Sequence, residues 1–221
     1  MTEQATKSVL KSAAALGLVA VMGTAMLTFV YHLTADRIAE QERRVVQQQL
    51  GRILPADQYD NDLQEDRVYF RNEAHFPKGQ TVTVYRARAG GNPLALILRF
   101  RAVDGYNGDI HLLAGIYSDG SLAGVRVISH KETPGLGDGI EEEKSDWVLG
   151  FAGKSLHSPE GKNWSVKRDG GEFDQLTGAT ITPRAIVDAV HSALEYHESH
   201  RDELFRTPSG TRPAKRENGP S

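Results

Sequence analysis

The chain has no cysteine. That excludes disulfides, a thiolate nucleophile and any iron–sulfur cluster held by cysteine, so a redox role would rest on a cofactor held by other means. It is compatible with an oxidising compartment without identifying one. A dominant charge of one sign is also missing. The formal net charge is −3, whereas a nucleic-acid surface calls for a concentrated basic patch, so nucleic acid is not an expected partner. The eight histidines lack metal-ligand spacing. His191, His197 and His200 fall in one predicted helix but share no i, i+4 face with a carboxylate arranged for metal, and no metal is expected. No Ser-His-Asp or paired-carboxylate arrangement stands out, so no catalytic residue is assigned. No internal repeat is evident.

One long stretch lacks charge altogether. Residues 12–35 contain no Asp, Glu, Lys or Arg. As a helix this stretch would be about 36 Å long, against about 30 Å of bilayer hydrocarbon. No small-x-small cleavage site follows before Asp36 and Arg37. The expectation is an uncleaved transmembrane helix after a short basic tail, residues 1–11. Arg37, Arg43 and Arg44 follow the span, so the positive-inside count does not fix its direction. A short basic tail before one span still suggests a signal anchor, with the rest of the chain outside the cytoplasm. Residues 36–54 read as a juxtamembrane helix, a solvated stalk ended by Pro55. Residues 55–206 read as one domain, expected to fold alone from about Ala56. Residues 207–221, rich in Pro, Gly, Ser and charge, read as a disordered tail.

Within the domain, residues 81–87 alternate and are rich in β-branched types, and residues 94–101 form a second apolar run. Residues 110–117 and 122–128 flank Ser118-Asp119-Gly120-Ser121, a hairpin signal. Residues 141–151 read as a helix carrying Trp147. Residues 183–205 give the clearest helix, with Ile186, Val187, Ala189, Val190, Ala193 and Leu194 as its core stripe. The fold class expected is α+β, an antiparallel sheet with flanking helices.

Two glycine-rich elements carry the candidate chemistry. The first is Asp174-Gln175-Leu176-Thr177-Gly178-Ala179-Thr180, just before the long helix. Gly178 and Ala179 have almost no side chain, so a bulky group can lie against the backbone. A helix start leaves N–H groups unpaired and carries partial positive charge, which favours phosphate. Pro183 fits the first helical position and Thr182 fits the N-cap. Thr180, after the two smallest residues, has the most room for a phosphoester. The second element is Lys131-Glu132-Thr133-Pro134-Gly135-Leu136-Gly137-Asp138-Gly139. It lacks the dinucleotide Gly-x-Gly-x-x-Gly spacing and a P-loop Lys-Ser/Thr, and alone it would be an ordinary shaped loop. Gly105-Tyr106-Asn107-Gly108 reads as a structural turn that could also line a pocket.

Together the two elements resemble the covalent FMN-binding domain family, over roughly residues 95–200. That family includes flavin-carrying, membrane-anchored subunits of Rnf-type electron-transport complexes and of sodium-translocating NADH:quinone reductase. The resemblance implies FMN joined through its phosphate to Thr180. It implies that Thr177, Gly178 and Ala179 surround the attachment, and that Asp174 matters for recognition by the flavin transferase that installs FMN from FAD. Glu132, Thr133, Leu136 and Gly137 would contact the flavin.

The function implied is electron transfer within an ion-translocating oxidoreductase, not catalysis by this chain alone. Its partners would be other membrane and peripheral subunits, in a bacterial inner membrane with the flavin domain on the periplasmic side. The length favours the Rnf type over the quinone reductase. A cofactor-free, membrane-tethered scaffold and a self-contained flavin reductase are the readings from other classes.

Overall fold

The computed structural model describes residues 16–18, 20–24, 26, 28 and 46–213. The chain divides into two units, Met1–Gln47 and Gln48–Ser221. In the first unit the expected transmembrane helix over residues 12–35 is not met. Among the described residues no helix is long and apolar enough to cross a membrane. A crossing needs about 20 consecutive, mostly apolar helical residues. The described residues of that stretch are helical and exposed. Its other residues, and residues 36–45 of the expected stalk, lie outside the described residues. The single-pass topology and the periplasmic placement rested on that span and fall with it.

The second unit is built on one sheet. Five strands, β1 (Arg67–Phe70), β2 (Val82–Ala89), β3 (Asn92–Gly105), β4 (Gly108–Tyr117) and β5 (Leu122–Ser129), lie in sequence order, each antiparallel to the next. The sheet is the expected antiparallel one, extended by β1, which no sequence pattern marked. Gly90 and Gly91 turn β2 into β3, both at positive φ (57° and 77°). A two-residue hairpin loop of the twist-matching type needs that conformation.

Alternation along β3 and β4 sorts the apolar residues onto two faces. On one, Leu96, Leu98, Phe100 and Ala102 join Ile110, Leu112, Ala114 and Ile116 in the main core. The long helix, Ile181–Arg206, covers this face with Ile186, Val187, Val190, Ala193 and Leu194, all buried. Each of the Ile, Val and Leu side chains contributes about 1.5–3 kcal/mol if fully buried.

The other face has its own layer. Tyr85, Ala87, Ala95, Ile97 and Leu113 are buried there, apart from the main core, as are Leu50, Ile53, Leu54 and Leu63 from the segment before β1. Ile53 lies so close to Gly115 of β4 that a Cβ there would come 2.3 Å from its Cγ2. Arg126 Nη2 donates to Arg52 O (3.0 Å), and Asp60 N to Arg88 O (3.0 Å). Residues 46–53 are helical, as expected. From Leu50 on, however, this segment is folded onto the sheet and is no solvated stalk.

The helix ends in a polar clamp. Buried Arg86 donates to Leu204 O (2.9 Å), to Thr207 O and to Ser209 Oγ (2.6 Å), and it pairs with Asp66. Beyond it, Gly210 N donates to Arg67 O (2.8 Å) and Tyr69 N to Thr211 O (2.9 Å). Residues 207–211 are thus fixed along the edge of β1, where a disordered tail was expected. The helix expected over residues 141–151 is only a 3-10 turn, Asp146–Phe151, preceded by another, Gly137–Ile140. Glu141 and Glu142 are drawn to His130 and Arg126. Ser145 caps the later turn by accepting from Trp147 N, so the chain restarts there.

Candidate functional site

Three segments far apart in sequence meet beside the start of the long helix: the β3–β4 tip, the loop after β5 and the loop that enters the helix. They enclose a half-open cavity of about 270 Å³. Of the residues expected in a site, Glu132, Thr133, Leu136, Gly137, Gly178, Ala179 and Thr180 line it. Asp174 and Thr177 do not. Asp174 is exposed, pairs with Lys167 (2.6 Å) and accepts from Trp147 Nε1 through its carbonyl (2.6 Å), which anchors the loop from behind.

Local chemistry shapes each wall. Thr133 O accepts from Leu136 N (3.1 Å) and Gly137 N (3.0 Å), while Gly135 sits at φ 77°. This tight turn projects Leu136 across the cavity to Gly178, where a Cβ would come 3.0 Å from Leu136 Cδ2. Asn107 Nδ2 donates to Thr133 Oγ1 (3.1 Å), joining the β3–β4 tip to the same loop. Arg184 holds Asp169 with two bonds (2.7 and 2.9 Å), and these bonds lower the Asp169 pKa. They also fix the preceding loop against the helix.

The helix begins two residues earlier than expected. Thr180 stands at the N-cap position and its side chain makes no capping bond. The residue is half-buried and lines the cavity. Thr182, expected as the cap, is instead fully buried within the first turn, and its hydroxyl donates to Glu132 Oε2. Pro183 is the third helical residue, still among those whose N–H would have no partner within the helix.

The rim is apolar. In residues 48–213 the exposed large hydrophobic side chains are Val103, Tyr106, Leu136, Leu149 and Ile181. Three of the five, Tyr106 (67% exposed), Leu136 (47%) and Ile181 (45%), line this one cavity. Exposed apolar groups gathered at a concave site mark a binding surface. The arrangement can hold a flat apolar group at the rim and an anionic end at the helix start.

The FMN-binding domain family matches residues 105–195, a stretch that contains all three segments of the cavity, and the RnfG N-terminal region matches residues 1–53. The chain is 46% identical to the G subunit of the ion-translocating oxidoreductase complex of Pseudomonas aeruginosa, over 90% of this chain and 93% of that protein. It is 42% identical to the corresponding protein of Aliivibrio fischeri, over 90% and 94%. It is 41% identical to that of Vibrio cholerae, over 90% and 95%.

The chain belongs to the RnfG family.

One lining residue of this RnfG family member escaped the sequence patterns, a second was read first as a structural turn, and a third sits elsewhere than its pattern implied. Ile181 carried no motif signal. Tyr106 was legible as a candidate, since an aromatic between two turn glycines has few core partners, but it read as structural. Thr182 was placed at the cap because Pro183 follows it. Instead it is completely buried and bonds to Glu132, which lies 50 residues away.

Proposed function

We propose that this chain is an electron-transfer flavoprotein subunit of an Rnf-type ion-translocating oxidoreductase complex, with FMN attached through a phosphoester to Thr180. The supporting observation is the pairing of an uncommitted Thr180 hydroxyl at a helix start with an apolar rim on the same cavity. The residues present fit FMN. Tyr106, Leu136 and Ile181 suit an isoalloxazine ring, and the first helical turn suits its phosphate.

FMN would supply one- and two-electron chemistry. The chain's own residues tether, orient and surround it. Thr180 Oγ1 would give up its proton and bond to the flavin-side phosphorus of FAD, while the pyrophosphate P–O bond breaks and AMP leaves with the bridging oxygen, a step carried out by a flavin transferase. Gly178 and Ala179 leave room for the linkage. Simple electron transfer requires no acid–base residue. The redox partners are other subunits of the complex, as the names of the relatives suggest.

The test is coexpression with a flavin transferase, followed by denaturing gel fluorescence and intact mass. The wild-type chain should carry an FMN-sized adduct and Thr180→Ala should not. An adduct that persists in Thr180→Ala would overturn the assignment.

A further inference from the structure

The cavity has one charged side chain in its lining, Glu132. It is 5% exposed. Both of its oxygens are held by neutral donors: Asn107 N donates to Oε1 (3.0 Å), and the Thr182 hydroxyl donates to Oε2. Ion pairs in the surrounding loop go to its neighbours, His130 to Glu141 (2.7 Å) and Lys144 to Asp138 (3.7 Å). No Lys, Arg or His lines the cavity to offset the charge.

The chain also keeps space for this carboxylate, since a Cβ at Gly137 would come 2.9 Å from Oε2. Gly105 lies on the Oε1 side (3.0 Å from its Cβ position), although what a Cβ there would meet first is Gly108 O at 2.3 Å. A buried carboxylate without a counter-cation is costly, and the water-poor surroundings that make it so also make its field strong.

We infer that Glu132 lowers the reduction potential of a flavin held in this cavity, through its charge. The inference rests on the FMN reading above. An electron that arrives from a reduced centre of a partner protein adds negative charge to the ring, and the fixed negative charge of Glu132 opposes it. Glu132 therefore favours the oxidised ring and makes the flavoprotein a stronger electron donor once reduced. Its two hydrogen bonds keep the carboxylate at the cavity wall.

The experiment is a potentiometric titration of the full-length chain, loaded by coexpression with a flavin transferase and reduced by dithionite through mediator dyes. Glu132→Gln removes the charge and retains an acceptor. It should favour the reduced flavin about tenfold, a shift of about 59 mV to more positive potential for a one-electron step. Glu132→Asp keeps the charge and should stay within about a third of that shift. Equal potentials for wild type and Glu132→Gln, both fully loaded, would overturn the inference and leave the FMN reading intact. So would a Glu132→Asp shift as large as that of Glu132→Gln, because shape and not charge would then be the cause. If Glu132→Gln fails to load, Glu132→Met gives a second arm. It also removes the charge, so the potential should move more positive, and an unchanged or more negative potential would overturn the proposal. A wild-type chain that takes no flavin would remove both readings together.

Discussion

The Thr182 hydroxyl donates to the Glu132 carboxylate across 50 positions of sequence, and both side chains are buried. This one bond fastens the loop after β5 to the first turn of the long helix. Thr182→Val keeps the shape and removes the donor, leaving a buried carboxylate oxygen without its partner. The expected loss is about 1–3 kcal/mol, read as a lower urea midpoint. Thr182→Ser restores a hydroxyl and should recover most of it. Equal midpoints for the Val and Ser variants would show that the bond contributes nothing.

Gly137→Ala tests how closely that loop is packed. The new methyl would meet Glu132 Cβ and Oε2, both at 2.9 Å. Overpacking of this kind costs about 1–3 kcal/mol. The displaced carboxylate should narrow the cavity, so flavin loading should fall along with stability. A variant as stable and as fully loaded as wild type would contradict the packing described.

Arg86 is 2% exposed and serves the helix end, Asp66 and Ser209 at once. Arg86→Met should cost about 3–5 kcal/mol, because it leaves Asp66 without one of its cations and the Leu204 carbonyl without its donor. Calorimetry or denaturant titration would show this. A loss under about 1 kcal/mol, the scale of an ordinary exposed ion pair, would mean that Arg88, which also pairs with Asp66 at 2.8 Å, suffices alone.

His197 gives the fold an acid sensitivity. It is 1% exposed, and neither ring nitrogen has a hydrogen-bond partner. Burial, and then the charge of Arg201, push its pKa down to about 4, with Asp119 opposing. The unfolded chain takes up the proton at about 6.5, so between those values the unfolded state binds more protons. Stability from this group is complete above about pH 6.5 and is lost as pH falls towards 4, by about 3 kcal/mol at 1.36 kcal/mol per pH unit. His197→Leu should flatten the stability profile over that window. An unchanged slope would locate the acid sensitivity elsewhere.

The sheet and the long helix were legible because their signals are local. Alternation marks residues 81–87, the Ser118-Asp119-Gly120-Ser121 turn sets off residues 110–117 and 122–128, and a 3.6-residue stripe marks Ile186 to Leu194. β1 is four residues long and lies at the sheet edge, too short for alternation to show. The two glycine-rich motifs located most of the cavity wall. They could not show that Asp174 and Thr177 lie outside it, or that Thr182 serves Glu132, because those relations arise only when separate segments meet. The uncharged run at residues 12–35 illustrates the opposite error. Absence of charge measures how long a span could be, and it does not establish a continuous helix of that length.

The layer formed by Leu50, Ile53, Leu54 and Leu63 determines where this protein can be cut. A fragment beginning at Ala56 would lose three of those four side chains and lay bare Ile97, Leu113 and their neighbours on the outer side of the sheet. Bare apolar ground of that kind makes molecules stick to one another. Such a fragment should therefore scatter light and elute as large particles, whereas one beginning at Val46 should run as a monomer. For anyone preparing the flavin domain by itself, the working boundary lies before Gln48, eight residues upstream of the position that the proline suggested.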